Sequence, residues 1–229
     1  MSMVTNVTET PPSAWLRPRF AVIPTTGRDC FYRAAEAIRP QVDQVLVIKT
    51  PGPALTNWDQ MLAHEEKSDT KNISAWWNKG FKCAKFLAST RMGATAWDVA
   101  VLNDDVIVGP TWFDELSETL RRTGVAVTSL GDVGMPVLHS KPGPIPLSTR
   151  PQGFAWMTAG EKGLRADETL MWWYGDDDLW AQAIANGGIM IIPGRLTHLY
   201  PNGQMTADLQ VQAAKDRETF VTKHGWAPW

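Results

Sequence analysis

Apolar positions along this chain follow two rhythms. Short continuous apolar runs alternate with stretches in which apolar residues recur every third or fourth position. Phe20-Ala21-Val22-Ile23-Pro24 reads as a first strand, ended by the turn Thr25-Thr26-Gly27-Arg28. Asp29 stands where it would cap a helix with the stripe Phe31, Ala35, Ile38, stopped by Pro40. Val42 and Val45-Leu46-Val47-Ile48 form a second strand, halted at Pro51-Gly52-Pro53. The clearest helix carries Ile73, Trp77, Gly80, Phe81, Ala84 and Ala88 on one face. The valine-rich run from Trp97 to Val106 reads as a central strand covered on both sides.

Pro110 and Thr111 open a further helix. Asp114 and Glu115 come early and Arg121 and Arg122 late, as the helix dipole favours, and Gly124 ends it. Val125 to Thr128 is a short strand. Residues 131–152 are rich in Pro and Gly and lack periodicity, and a loop that long inside a domain is often functional. Phe154 to Met157 predicts a strand. Leu179, Trp180, Ala183 and Ile184 predict a helix closed by Gly187. Ile189 to Ile192 predicts a strand, and residues 205–222 a final helix. Alternating elements of this kind predict an α/β domain with a mainly parallel central sheet flanked by helices. Residues 1–15 read as a flexible N-terminal arm, and 16–229 as one domain.

Composition narrows the function classes. The 22 basic and 24 acidic residues give a net charge of −2, so no strongly basic surface for nucleic acid is evident. Cys30 and Cys83 match no metal spacing and fall in predicted helices, which predicts free thiols and fits a reducing cytoplasm. No apolar stretch approaches the roughly 20 residues of a membrane span, and the N-terminus lacks the pattern of a signal peptide. The expectation is a cytoplasmic protein without an integral membrane segment. The twelve tryptophans supply core, and also flat apolar faces with a polar N–H for stacking on rings.

Four constellations carry candidate chemistry. Asn103-Asp104-Asp105 ends the buried strand, where adjacent carboxylates repel each other unless a hard cation holds them. Open α/β sheets bind ligands at that end of their strands. The structural alternative is a turn with a helix cap. Trp172-Trp173-Tyr174-Gly175-Asp176-Asp177-Asp178 sets three aromatics before three acids that open a helix. Dipole stabilisation explains one acid. Three together raise one another's pKa, which suits a general base. His198 follows a predicted buried strand and suits a transition-type ion such as Mn²⁺, or is structural. His64, His139 and His224 have no comparable setting. Thr25-Thr26-Gly27-Arg28, between strand and helix, suits a nucleotide but is neither a dinucleotide fingerprint nor a Walker loop.

In this order the pieces resemble the GT-A-fold glycosyltransferases, specifically the large inverting family called family 2, over roughly residues 19–225. Phe20 to Thr25 looks like the family's opening nucleotide-binding strand. Asn78-Lys79-Gly80 looks like its Asn-x-Gly helix segment, and Leu102-Asn103-Asp104-Asp105 like its DXD motif with Asn in first place. Asp167-Glu168 and Asp176-Asp177-Asp178-Leu179 are similar to its later acidic segments, and Phe220 to Gly225 to its closing helix end. The chain departs from the family pattern at Lys49-Thr50-Pro51-Gly52, where an acidic segment is usual, and at Gly175, where a Glu is usual.

The resemblance implies transfer of a sugar, with inversion, from a UDP-, GDP- or dTDP-linked donor to an acceptor hydroxyl, with Mn²⁺ or Mg²⁺ as cofactor. It implies Asp176 as catalytic base. Asp105 and His198 become the metal ligands, supported by Asp104. Pro24, Thr25, Thr26, Arg28, Asn78, Lys79, Asn103 and Asp104 are expected around the donor. Trp172, Trp173, Tyr174, Gly153 and Asp177 are expected in the sugar and acceptor pocket. Residues 16–106 would form the donor half, and 107–229 the acceptor half. The acceptor, a glycan, protein or modified nucleic-acid base, stays open. A sugar-nucleotide nucleotidyltransferase, a non-catalytic nucleotide- or glycan-binding module, and a metal-dependent hydrolase are the other readings.

Overall fold

The computed structural model describes residues 17–56, 61–68, 70–200 and 206–227. In chain order the elements begin with β1 (Arg19–Thr25), α1 (Cys30–Ile38), β2 (Gln44–Lys49), β3 (Leu62–Glu65) and α2 (Ile73–Phe86). Next come β4 (Asp98–Leu102), β5 (Val106–Ile107), α3 (Trp112–Thr123), β6 (Val127–Gly131) and β7 (Val137–His139). The chain continues through β8 (Ala155–Ala159), α4 (Gly175–Ala185), β9 (Ile189–Pro193), β10 (Thr197–His198) and α5 (Ala207–His224). The expected N-terminal arm lies outside the described residues.

Eight strands form one sheet in the order β3-β2-β1-β4-β8-β6-β9-β7, drawn from both halves of the chain. β3, β2, β1 and β4 run parallel, as do β6 and β9. β8 lies antiparallel between β4 and β6, and β7 antiparallel on the edge. The strands alternate sides with period two. Phe20, Val22, Leu46, Ile48, Val99 and Val101 face one core with Trp76, Trp77, Trp156 and Trp180. Ala21, Ile23, Val45, Val47, Ala100 and Leu102 face the other with Phe31, Ile38, Phe113 and Leu116. Covered on both faces, these strands read as continuous apolar runs. Trp156 is fully buried and meets Trp77, Phe81 and Trp180 edgewise at centroid distances of 6.0, 6.0 and 5.0 Å. At Gly80 a Cβ would collide with the Val22 side chain, so this glycine lets α2 approach β1 closely.

Several local expectations are corrected. The run 97–106 is not one strand: β4 ends at Leu102, a turn closed by Val106 N–H donating to Asn103 O (3.3 Å) follows, and β5 leaves the main sheet. Turn-forming Asn and Asp side chains interrupt the apolar run there. Asp29 makes no side-chain cap bond and itself has helical dihedrals. Val42 lies outside β2. Residues 131–152 contain β7 and a 3₁₀ turn over Leu147–Thr149 rather than loop alone. β3 and β10 were not foreseen: β3 is short and mixes polar with apolar residues, and β10 is two polar residues, Thr197 and His198. Cys30 and Cys83 are free thiols. Among the described residues no helix is long and apolar enough to cross a membrane.

Candidate active site

The parallel strands β1, β2 and β4 end on one side of the sheet, and the candidate residues gather beyond those ends, as in other open α/β sheets. At the end of β1, Thr25 Oγ1 accepts from Gly27 N–H (3.0 Å) and donates to Asp104 Oδ2 (2.7 Å). Gly27 has φ +89°, and a Cβ there would overlap Pro53 O, so the turn requires glycine. The turn aims Arg28 at the acidic pair. Its Nη2 forms a close ion pair with Asp104 Oδ1, and its Nε donates to Asp104 Oδ2 at 3.3 Å. Asp105 Oδ2 lies 3.4 Å from Arg28 Nη2. Arg28 also sits over the Tyr200 ring, 5.9 Å from its centroid.

β5 explains how His198 reaches this place. It pairs antiparallel with β10, setting His198 opposite Val106, and Leu199 N–H donates to Asp105 O at 2.9 Å. The Phe154 ring packs on the imidazole with centroids 4.3 Å apart. His198 Nε2 then lies 3.2 Å from Asp105 Oδ1, a buried oxygen with no hydrogen-bond partner among the described residues. A carboxylate oxygen left unsatisfied beside an imidazole nitrogen fits a divalent cation, which takes one or two carboxylates and completes its shell with phosphate oxygens and water. Asp104 is turned the other way, to Thr25 and Arg28. Among the described residues, no group of three His, Cys, Asp or Glu side chains converges as a complete metal site. Substrate oxygens would therefore have to supply much of the coordination shell.

The three acids of α4 go to three destinations, because successive helix positions are rotated by about 100°. Asp176 lines the cavity. Its Oδ2 accepts from Arg150 Nη2 at 2.9 Å and leaves no room for a Cβ at Gly153. Asp177 is buried behind it and takes the Arg150 fork at 2.9 and 2.7 Å. Burial and the neighbouring Asp176 charge push its carboxyl up to about 7, against the opposing pull of Arg150. Asp178 is fully buried and accepts from Lys223 Nζ (2.8 Å), Gln182 Nε2 (2.9 Å) and the His224 ring (2.9 Å). His224, whose neighbours in sequence gave no hint of a role, thus pins α5 to α4 and stacks on Phe220. At Gly175 a Cβ would collide with Ser74 Oγ, so no larger residue fits there.

Asp216 of α5 is a further residue that the sequence did not single out. Its buried carboxylate accepts from the backbone N–H groups of Met171 (3.2 Å), Trp172 (2.7 Å) and Trp173 (2.8 Å). That holds the aromatic segment against the site. Trp172 meets Trp76 edgewise at 6.3 Å.

One cavity of about 380 Å³ brings together Pro24, Thr25, Thr26, Arg28, Asn103, Asp104, Asp105, Gly153, Trp172, Trp173, Asp176 and His198. It also takes in Thr50, Trp76, Trp77, Arg150, Phe154 and Tyr200, which sequence reading did not gather. Their contribution depends on long-range packing, and no local signal marks it. Four expected residues stand elsewhere. Asp177, expected in the acceptor pocket, is buried behind Asp176 on the Arg150 fork and does not line the cavity. Tyr174, with φ 63°, packs 5.9 Å from Phe220 and does not line the cavity. Asn78 and Lys79 line a separate cavity of about 520 Å³ farther along α2. There Asn78 bonds both backbone groups of Ala166 and the Glu168 side chain, and Lys79 pairs with Glu66.

No protein-family model matches the chain, and no curated protein matches it in sequence. Solved structures do match its fold. TarS 1–349 from S. aureus superposes with a TM-score of 0.57 at 10% identity, over 78% of this chain and 58% of that one. The same segment in complex with UDP-GlcNAc gives a TM-score of 0.56 at 10% identity, over 89% and 66%. The chain therefore spans about three-fifths of the length of TarS 1–349 in the first superposition and 66% in the second. 4-Diphosphocytidyl-2C-methyl-D-erythritol synthase reaches 0.49 at 11% identity, a likeness too slight to carry weight. The fold is GT-A-like, an α/β architecture with its large central sheet flanked by helices.

Proposed function

We propose that this chain is a metal-dependent glycosyltransferase that moves a sugar, with inversion, from a nucleoside-diphosphate sugar to an acceptor hydroxyl. The observation that carries the reading is a single cavity that holds two acidic groups of different character. Asp105 with His198 lies at the strand ends, and Asp176 comes from α4. The TarS complex with UDP-GlcNAc makes a UDP-linked sugar the first donor to test.

Arg28 and the Thr25–Thr26 turn would face the donor's diphosphate, Arg28 by charge-assisted hydrogen bonds. A divalent cation held by Asp105 and His198 would offset the charge that develops on the departing diphosphate. Asp176 takes the acceptor's proton as its oxygen attacks the anomeric carbon. The new C–O bond forms on the face opposite the leaving UDP, whose bond to that carbon breaks with the electron pair. Trp172, Trp173 and Trp76 offer apolar faces to a sugar ring.

A thermal-shift titration with UDP-GlcNAc and Mn²⁺ tests the donor reading, because a ligand that binds only the folded state raises its stability. Stabilisation that needs Mn²⁺ in the wild type and no longer responds to it in Asp105→Ala is expected. An unchanged metal response in Asp105→Ala removes that residue from the metal site. Release of UDP rather than pyrophosphate separates this reading from a nucleotidyltransferase.

A further inference from the structure

Among the charged residues lining the cavity, Arg150 is the one that neither the motifs nor the family resemblance assigns a task. It follows the Leu147–Thr149 turn, in the stretch that lacks sequence periodicity. Its Nε and Nη2 donate to the two oxygens of Asp177 at 2.9 and 2.7 Å, a planar two-point grip. The same Nη2 donates to Asp176 Oδ2 at 2.9 Å. Gly153 closes on that oxygen from another side. Asp176 Oδ1 has no hydrogen-bond partner among the described residues, and Asp176 lines the cavity. Among the described residues Tyr174 also faces the pair, with Arg217 acting on Tyr174 in turn.

We propose that Arg150 is the positioning residue for the base: forked on Asp177, it fixes Asp176 through Oδ2 and leaves Oδ1 to take the acceptor's proton. The inference rests on the reading of Asp176 as base. Asp177 acquires a role as the anchor that orients the guanidinium. A lysine in place of Arg150 would restore the charge but not the rigid fork. Charge and geometry can therefore be separated.

The test uses the full chain, with UDP release from UDP-GlcNAc (water as acceptor, Mn²⁺ present) and ¹³C NMR titration of the aspartate carboxyls. In Arg150→Lys we expect kcat to fall about 100-fold, as a misplaced reacting group does, with KM for UDP-GlcNAc unchanged. In Arg150→Gln the Asp177 midpoint should rise, because the cation that opposes its upward shift is gone. An unmoved midpoint would overturn the proposal, and this arm needs no turnover. Arg150→Gln leaves a buried carboxylate unpaired and can cost folding. The double variant Arg150→Gln/Asp177→Asn removes both charges, and its kcat should stay low. Recovery to the wild-type rate would show that Arg150 serves only to neutralise Asp177. Asp176→Asn with full turnover would instead refute the base reading itself. An inactive Asp176→Asn beside a fully active Arg150→Lys refutes this inference alone.

Discussion

Replacing Asp216 by alanine should destabilise the fold by about 4–5 kcal/mol. The carboxylate is fully buried and accepts three backbone N–H groups, from Met171, Trp172 and Trp173, besides the Gln212 amide at 2.7 Å. Hydrogen bonds to a charged acceptor are worth about 1.5–3 kcal/mol each. The low end applies here, because residues 171–173 are half-exposed and water can replace part of what is lost. For a chain of this size each kcal/mol moves the melting temperature by about 2–4 °C, so Tm should fall by about 8–20 °C. Asp216→Asn keeps the shape and one acceptor oxygen and should lose about half as much. Urea denaturation measures both variants. Amide hydrogen exchange at Trp172 and Trp173 should accelerate before the rest of the molecule opens. A loss below about 1 kcal/mol in Asp216→Ala, in the range of an ordinary surface contact, would refute the reasoning.

Gly153→Ala should push Asp176 off its position while leaving the core intact, because the new methyl overlaps Asp176 Oδ2. About 100-fold in kcat is expected at nearly unchanged Tm, and full activity would show that Asp176 can shift freely. The Asp177 carboxyl, raised from 3.8 to about 7 in the folded protein, binds more protons folded than unfolded between those values. This group's contribution to stability is therefore intact below pH 3.8 and is lost as pH rises toward 7. The stability of Asp177→Asn relative to wild type should accordingly improve from pH 5 to pH 7.5 in urea denaturation, and a flat difference would contradict the shift. Trp156→Ala, which empties the centre of one core, should cost about 3–5 kcal/mol, read from the same denaturation midpoints.

Much of the fold was legible because burial leaves a local signature. Val22 and Ile23 point to opposite cores, so a strand covered on both faces must be apolar at every position. The stripe from Ile73 through Trp77 to Ala84 repeats every turn because only one side of α2 meets the sheet. Gly124, at φ 71°, ends α3 where the sequence put its end, since the left-handed cap favours glycine. Where elements are short, the signature fades. β10 has two residues, Thr197 and His198, and two residues carry no periodicity. β7 follows Pro136 in a stretch rich in turn formers, and its pairing with β9 is set at the sheet edge.

The sequence by itself determined the types of the longer elements, the α/β class and the presence of two acidic clusters near strand or helix ends. These depend on neighbours a few residues away, and the chain displays them directly. Tertiary structure decided which side chain of each cluster does what. Asp104 and Asp105 are adjacent in sequence, yet Asp104 turns to Thr25 and Arg28 while Asp105 turns to His198. Asp176, Asp177 and Asp178 diverge to the cavity, to Arg150 and to α5 because a helix rotates each residue away from the last. Arg150 and Asp216 were invisible for the same reason. Their site partners, Asp176 and Asp177 for one and the backbone of Met171 to Trp173 for the other, lie 26 to 45 residues away along the chain, and only packing brings a guanidinium or a carboxylate back across that distance.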